Sequence, residues 1–139
     1  MASYFPGANV ATLIGRILVA VFFIPSGLGK IAGFSGTVGY VASAGLPMPA
    51  LGAVIAIIVE VFVALAFLVG WQARWAALIL ALFSIAAALF FHQYWAASPE
   101  QYMMQHINFF KNMAIAGGLL FSYAFGPGAI SLDARASQR

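Results

Sequence analysis

Five ionisable side chains lie within the apolar stretches of this sequence, where a lipid environment disfavours charge. In chain order they are Arg16, Lys30, Glu60, His92 and Lys111. A charge at membrane depth costs roughly 2.5–3.5 kcal/mol on insertion scales, so such residues usually face a bundle interior and serve a function there. Side chains of these types can bind an anion, donate hydrogen bonds to a carbonyl group or relay a proton.

Helical phase places these residues on faces that are rich in small side chains. At about 100° per residue, each apolar stretch has one stripe that combines an ionisable residue with small neighbours. The stripes are Arg16, Phe23, Gly27 and Lys30; Ala53, Ala56, Glu60 and Ala64; Ala77, Ala81, Ala88 and His92; and Lys111, Gly118 and Ser122. Because small residues let membrane helices approach closely, the stripes are predicted to converge inside one bundle.

The deeper polar residues are Arg16 and Glu60. The reach of an arginine side chain covers the difference in their depths, so the two are predicted to form an ion pair inside the bundle. The pair either fixes the register of the helices as a purely structural element or takes part in a proton relay.

The outer third of the bundle holds a second group, which is predicted to bind a ligand. Its members are Lys30, His92, Lys111 and Asn112. Two ammonium groups and an imidazole would repel one another in a low dielectric, so an anionic or strongly polar ligand is expected between them. The main rival explanation is that Glu60, which lies deeper, balances one of these charges. The simpler alternatives are lysines that reach the membrane surface, an interfacial histidine, and a Lys111–Asn112 pair that caps the fourth span or meets lipid phosphates.

Composition assigns the chain to the polytopic helical membrane proteins. Of its 139 residues, 64% are hydrophobic and only 6% are charged, whereas soluble domains have about 25% charged residues. One span needs about 20 apolar residues, so spans at about 12–31, 51–69, 74–94 and 109–125 occupy the chain. The predicted fold is one all-α domain over residues 1–139, a transmembrane four-helix bundle in the lipid bilayer.

The same composition excludes several kinds of site. The chain has no cysteine, which excludes disulfides, thiolate metal sites and thiol redox relays within this subunit. Its net charge of +3 comes without a basic cluster, so no nucleic-acid binding is expected. Two histidines and three acidic residues show no metal-ligand spacing, and no metal site is predicted.

Two outer connections are long enough to hold short interfacial helices. Residues 34–44 are predicted to form one that Gly45 ends. Ser98-Pro99-Glu100 has the order of an N-cap, a first-turn proline and a first-turn acid, so a helix that leads into the fourth span is predicted to begin there. Gly126-Pro127-Gly128 is expected to end that span, and residues 131–139 are expected to form a frayed tail.

Motifs along most of the chain resemble the DoxX family of small four-helix membrane proteins. They are Gly15-Arg16, Ser26-Gly27 with Lys30, Phe34 with Gly36, Gly45-Leu46-Pro47, Glu60, Gly70 with Arg74, Phe91-His92, Phe110-Lys111-Asn112, Gly117-Gly118, Gly126-Pro127-Gly128 and Ser131-Leu132-Asp133. Each motif is weak alone, whereas their order and spacing together are specific. The resemblance implies a membrane subunit of a quinone-linked oxidoreductase, such as a thiosulfate-to-quinone system, or a partner of redox-protective enzymes.

The resemblance and the polar residues together leave three functions open. The first is a redox accessory of the bacterial inner membrane, a subunit of an oxidoreductase complex. It would offer a quinone or small-acid pocket and work with a soluble redox partner protein, and no covalent cofactor is expected. The second is transport or sequestration of a small hydrophobic or anionic solute; four helices are few for a transporter, so this function requires a homo-oligomer. The third is a scaffold that anchors partners without chemistry.

The distribution of basic residues predicts that both termini face the cytoplasm. Arginines fall at one end of the spans and lysines at the other: Arg16, Arg74, Arg135 and Arg139 against Lys30 and Lys111. The end with more positive charges is expected inside. A fluorescent protein fused to the C-terminus should therefore fluoresce, and alkaline phosphatase fused there should be inactive. An active phosphatase fusion would refute the orientation.

Overall fold

The computed structural model describes residues 6–138, and the regular structure of this range is helical. A short 3-10 turn at Tyr94–Ala96 separates the fourth helix from the fifth. The helices are α1 (Ala8–Ala32), α2 (Phe34–Ser43), α3 (Pro49–Val69), α4 (Ala73–Phe91), α5 (Pro99–Phe125) and α6 (Leu132–Ala136).

Three of these helices, α1, α3 and α4, are long and apolar enough to cross a membrane, and α5 is a further long helix, of 27 residues. The predicted all-α architecture is therefore confirmed, with differences at the helix ends. α1 begins at Ala8 rather than near residue 12. α4 ends at Phe91 rather than near residue 94, because the backbone leaves the helical conformation at His92, with φ −126° and ψ 50°.

The two connections that were predicted to lie on the outer side both contain the predicted helices. α2 forms the connection between α1 and α3 and ends shortly before Gly45, whose φ of +74° is left-handed. α5 begins at Pro99, whose fixed φ and missing N–H suit a first helical turn. The Ser98 side chain makes no capping hydrogen bond. The second connection is thus the first part of α5 itself, which continues without a break through the fourth predicted span.

The long helices pack in the order α1, α3, α4 and α5 around a narrow core. Alanines make the close contacts, as predicted for the second and third spans; the fully buried ones include Ala53, Ala64, Ala77, Ala81 and Ala88. The largest fully buried apolar side chains are Phe23, Phe67, Leu80 and Leu119. Small residues therefore set the helix spacing, and a few large ones fill the space that remains.

The buried face of the fourth span differs from the predicted one. Asn112, Ala116 and Leu119 are buried in α5, whereas Gly118 is exposed. The predicted stripe of Lys111, Gly118 and Ser122 is wrong by about one residue. The observed face follows the i, i+4, i+7 spacing of a helix, and its leucine contributes more apolar surface to the core than two small residues would.

Arginine side chains that bind backbone carbonyls close one end of the bundle, called the arginine end below. Buried Arg16 donates hydrogen bonds to the carbonyl of Leu68, in the last turn of α3, and to that of Ile130. Arg74 donates to two carbonyls in the last turn of α5. Because the last carbonyls of a helix have no partner within it, these cations stabilise both helix ends.

The C-terminal tail docks onto the arginine end. The Asp133 carboxylate accepts hydrogen bonds from the backbone N–H groups of Gln72 at 2.8 Å and Ala73 at 2.9 Å. The predicted frayed tail is therefore wrong as far as residue 138, because this carboxylate supplies the acceptor that the first turn of α4 lacks. Arg139, used above to predict the orientation, lies outside the described residues.

Replacing Asp133 should lower the melting temperature. Asp133→Ala removes the acceptor of two N–H groups, and the loss of such a cap typically costs about 0.5–2 kcal/mol. Asp133→Asn keeps one acceptor oxygen, so its melting temperature should lie between those of Asp133→Ala and the wild type. Thermal unfolding in detergent, followed by circular dichroism, measures the order. Identical melting temperatures for all three proteins would show that the tail contributes nothing to stability.

Candidate ligand-binding cavity

A cavity of about 410 Å³ lies between the helices, in the half of the bundle opposite the arginine end. All of the helices from α1 to α5 contribute to its wall. The four residues predicted to bind a ligand all line it: Lys30, His92, Lys111 and Asn112. The depth that these residues share along their helices thus predicted that they lie together, and their contact with a ligand stays a prediction.

Aromatic rings supply much of the apolar wall. They are Phe22, Phe23, Tyr40, Phe83, Phe90 and Phe91. The Tyr40 ring of α2 stacks on Phe91 of α4, with ring centres 5.0 Å apart, so α2 lies over the side of the cavity that is farther from the arginine end. Partial burial raises the pKa of the Tyr40 hydroxyl above its ordinary value. The phenol is therefore a neutral hydrogen-bond donor at physiological pH.

Glu60 is buried in the cavity wall and forms an ion pair with Lys30. The Nζ atom of Lys30 lies 2.8 Å from Oε2 and 3.1 Å from Oε1 of the carboxylate. Lys30 also donates a hydrogen bond of 2.8 Å to the hydroxyl oxygen of Ser26, one turn earlier in α1. The same hydroxyl lies 3.4 Å from both carboxylate oxygens. A charged partner and a hydroxyl together offset the cost of burying the carboxylate.

The predicted Arg16–Glu60 ion pair is wrong. Arg16 binds the carbonyls of Leu68 and Ile130 instead, and Leu68 lies about 12 Å beyond Glu60 along α3 at 1.5 Å per residue. Two physical effects account for the difference. The unpartnered carbonyls at the end of α3 compete for the guanidinium group, and Lys30 neutralises Glu60 from the opposite direction.

A π-helical segment, Ile58–Val63, contains Glu60 within α3. Such segments are rare and are often found at functional sites. Gly27 of α1 packs directly against this segment: a Cβ atom at Gly27 would lie 2.6 Å from Val61 Cγ2 and 2.9 Å from Glu60 Cβ. Glycine therefore permits the close approach of α1 and α3 that brings Lys30 within hydrogen-bonding distance of the carboxylate.

Lys111 is a cation of the cavity wall without an ion-pair partner within the range that the structure describes. Its Nζ atom donates a hydrogen bond of 3.1 Å to Asn108 Oδ1 and lies 5.6 Å from the centre of the Phe22 ring. Both partners are neutral. The predicted excess of positive charge is thus smaller than expected, because Glu60 neutralises Lys30, but it persists at Lys111.

His92 and Asn112 each use part of their hydrogen-bonding capacity within the protein. His92 Nδ1 lies 2.9 Å from Gln105 Oε1, so a neutral imidazole donates from Nδ1 and keeps Nε2 as an acceptor. Asn112 Nδ2 donates to the backbone carbonyl of Asn108 at 2.9 Å, which leaves a second N–H and the amide oxygen. The cavity therefore offers both donors and acceptors to a ligand.

Sequence reasoning missed several side chains that shape the site: Phe22, Tyr40, Gln105 and Asn108. Asn108 precedes Lys111 by three residues and Asn112 by four, a spacing that brings side chains together on a helix and could have identified it. Gln105 lies in the segment assigned to an outer connection. No local pattern links that segment to His92 at the end of α4.

Lys30 and Glu60 should be coupled in stability, whereas Arg16 and Glu60 should not. Lys30→Ala leaves a buried carboxylate without its partner, which is expected to destabilise the protein by about 3–5 kcal/mol. The double variant Lys30→Ala/Glu60→Ala should lose less than the sum of the single variants, and the matched Arg16→Ala/Glu60→Ala should be additive within about 0.5 kcal/mol. Unfolding in detergent measures both cycles. Additivity in the first cycle would contradict the ion pair.

Comparison with known proteins relates the chain to one family. The DoxX family model matches residues 11–93, a range that includes Lys30, Glu60 and His92. Inner membrane protein YphA of Escherichia coli (strain K12) is 43% identical over 126 residues, 91% of this chain and 90% of that protein. Inner membrane protein YqjF of the same strain is 38% identical over 125 residues, 90% of this chain and 91% of that protein. No solved structure matches the chain significantly.

Proposed function

Because this chain is an integral inner membrane protein that belongs to the DoxX family, we propose that its cavity binds the head group of a membrane quinone. The protein would then serve as the membrane subunit of a redox complex that receives electrons from a soluble partner protein. One observation carries the proposal. A single cavity of about 410 Å³ combines phenylalanine rings with Lys30, His92, Lys111 and Asn112.

The chemistry of the cavity wall fits a quinone head group. A quinone is a flat, uncharged ring with carbonyl oxygens on opposite edges, so it needs an apolar slot with hydrogen-bond donors at its rim. The phenylalanine rings supply such a slot. The Lys111 ammonium group and the second N–H of Asn112 are available as donors, since their observed partners do not exhaust them. A few polar groups in a largely apolar pocket are typical of small-molecule sites.

The side chains around the cavity are also suited to proton handling. A bound quinone supplies two-electron, two-proton redox chemistry. The ammonium groups of Lys30 and Lys111 hold protons at the cavity wall, and His92 Nε2 is an acceptor. Glu60 compensates the charge of Lys30 and holds its ammonium group at the cavity wall. This role replaces the relay between Arg16 and Glu60 that the sequence predicts.

The alternative functions explain fewer features of the structure. A transported solute would have to cross the arginine end, where Arg16 is bound to carbonyls and Phe67, Leu80 and Leu119 are fully buried. A scaffold that only anchors partners leaves the cavity without a role. Sequestration of a lipophilic solute would use the same cavity and would differ from the proposal in the absence of electron transfer.

Quinone binding should depend on His92 and Lys111. A decyl-tailed ubiquinone analogue is titrated against the purified protein and followed by thermal shift or tryptophan fluorescence. His92→Ala and Lys111→Ala should each raise the Kd about tenfold, the effect of one lost hydrogen bond of about 1.4 kcal/mol. Arg135→Ala is the matched control, since it removes a cation from the arginine end, and should leave the Kd unchanged. Equal Kd values for all four proteins would contradict the proposal.

A further inference from the structure

We propose that the ligand reaches the cavity from the bilayer, through an opening between α1 and α5 at which Lys111 lies over Phe22. The inference rests on the proposed function and specifies the class of ligand further. The head group occupies the cavity, and an apolar tail runs out through the opening into lipid. The opening is called the α1–α5 opening below.

The packing of the helices leaves this side of the bundle less tightly closed. α1 packs against α3, α3 against α4, and α4 along the length of α5, whereas α5 makes no comparable backbone approach to α1 within residues 6–138. Both helices nevertheless line the cavity, α1 with Phe22 and Lys30 and α5 with Asn108 and Lys111. The cavity therefore extends to the side where two neighbouring helices are not in close contact.

Side chains bridge the α1–α5 opening at the level of the cavity. The Nζ atom of Lys111 lies 5.6 Å from the centre of the Phe22 ring. Both side chains are exposed, Phe22 to 40% of its surface. A single exposed cation–π contact is weak, and exposed side chains change rotamer rapidly. The opening can therefore widen by side-chain rotation, without movement of the helices.

The α1–α5 opening lies at the depth of the lipid tails. Phe22 is about 21 Å from the first residue of α1 and about 15 Å from the last, at 1.5 Å per residue. The hydrocarbon core of a bilayer is about 30 Å thick, so acyl chains rather than water surround this position. An ammonium group is costly there without a charged partner. The position of Lys111 is explained if its ammonium group contacts the polar head of a ligand that enters from lipid.

Two other routes to the cavity would pass α2 or the arginine end. On the outer side, Thr37, Tyr40 and Val41 of α2 form part of the wall, and Tyr40 stacks on Phe91. The opposite side holds the packed core and the arginine end. A ligand from water would have to pass the Tyr40–Phe91 stack at α2, a helix without extensive backbone contact to α4 or α5 in the described residues, whereas a ligand from lipid passes the side chains of Lys111 and Phe22.

Cysteine cross-linking can test the route, because the native chain contains no cysteine. Phe22→Cys/Asn108→Cys spans the α1–α5 opening and leaves Lys111 in place, and Tyr40→Cys/Phe91→Cys links α2 to α4. Each variant in nanodiscs is loaded with a deuterated decyl-tailed ubiquinone analogue and treated with a short bismaleimide. Matched samples receive N-ethylmaleimide, which modifies the same thiols without joining them. The label retained after a chase with vesicles containing unlabelled quinone is measured by mass spectrometry.

Cross-linking α1 to α5 across the opening should slow the exchange of quinone about tenfold relative to the matched sample. Cross-linking α2 to α4 should change the exchange rate by less than about twofold. The reverse pattern, or equal rates, would overturn the route. No quinone bound before cross-linking in either variant or in the wild type would overturn the proposed function instead.

A second measurement tests, without a quinone, whether the α1–α5 opening faces lipid. Phe22→Trp is made in a chain whose three native tryptophans are replaced by phenylalanine, and its fluorescence should be quenched by lipids brominated in the middle of their acyl chains. Unquenched fluorescence would show that the α1–α5 opening does not face lipid. That result would exclude the route even if the quinone binds.

Discussion

The burial of one carboxylate determines how the half of this bundle opposite the arginine end is built. Glu60 is only 6% exposed, and an unpaired carboxylate in an apolar interior would be too costly to remain charged. Its ion pair with Lys30 requires α1 and α3 to approach closely. Gly27 permits that approach, and the π-helical segment Ile58–Val63 contains the carboxylate. The cavity lies beside this pair, so the geometry of the site depends on the interaction that neutralises Glu60.

Arginine and lysine have different tasks at the two ends of the molecule. The planar guanidinium groups of Arg16 and Arg74 each bind two backbone carbonyls, three of them in the last turns of α3 and α5, which suits their fixed fork of donors. Lys30 and Lys111 place compact charges on flexible stems in the cavity wall. One end is thereby held rigid by hydrogen bonds to the backbone, while the other keeps donors that a ligand can use.

The helices and the set of residues that line the cavity were easier to predict from the sequence than the ion-pair and hydrogen-bond partners of those residues. Long apolar runs with clear breaks locate helices, and helical phase selects the face that Lys30 and His92 share with small residues. Phase does not decide between Arg16 and Lys30, which lie on the same stripe of α1, as partners for Glu60. That choice depends on the free carbonyls at the end of α3. The weaker contact between α1 and α5 depends on the packing of all the helices, and no local pattern reports it.

The most direct test of the central claim, that the cavity holds a membrane-borne quinone, is native mass spectrometry of the protein ejected from its own membranes without prior delipidation. We expect a wild-type species that carries one polyprenyl quinone, and a smaller fraction of that species in Lys111→Ala. A wild-type protein that carries only phospholipid, or a quinone-bound fraction that is the same in Lys111→Ala, would contradict the claim.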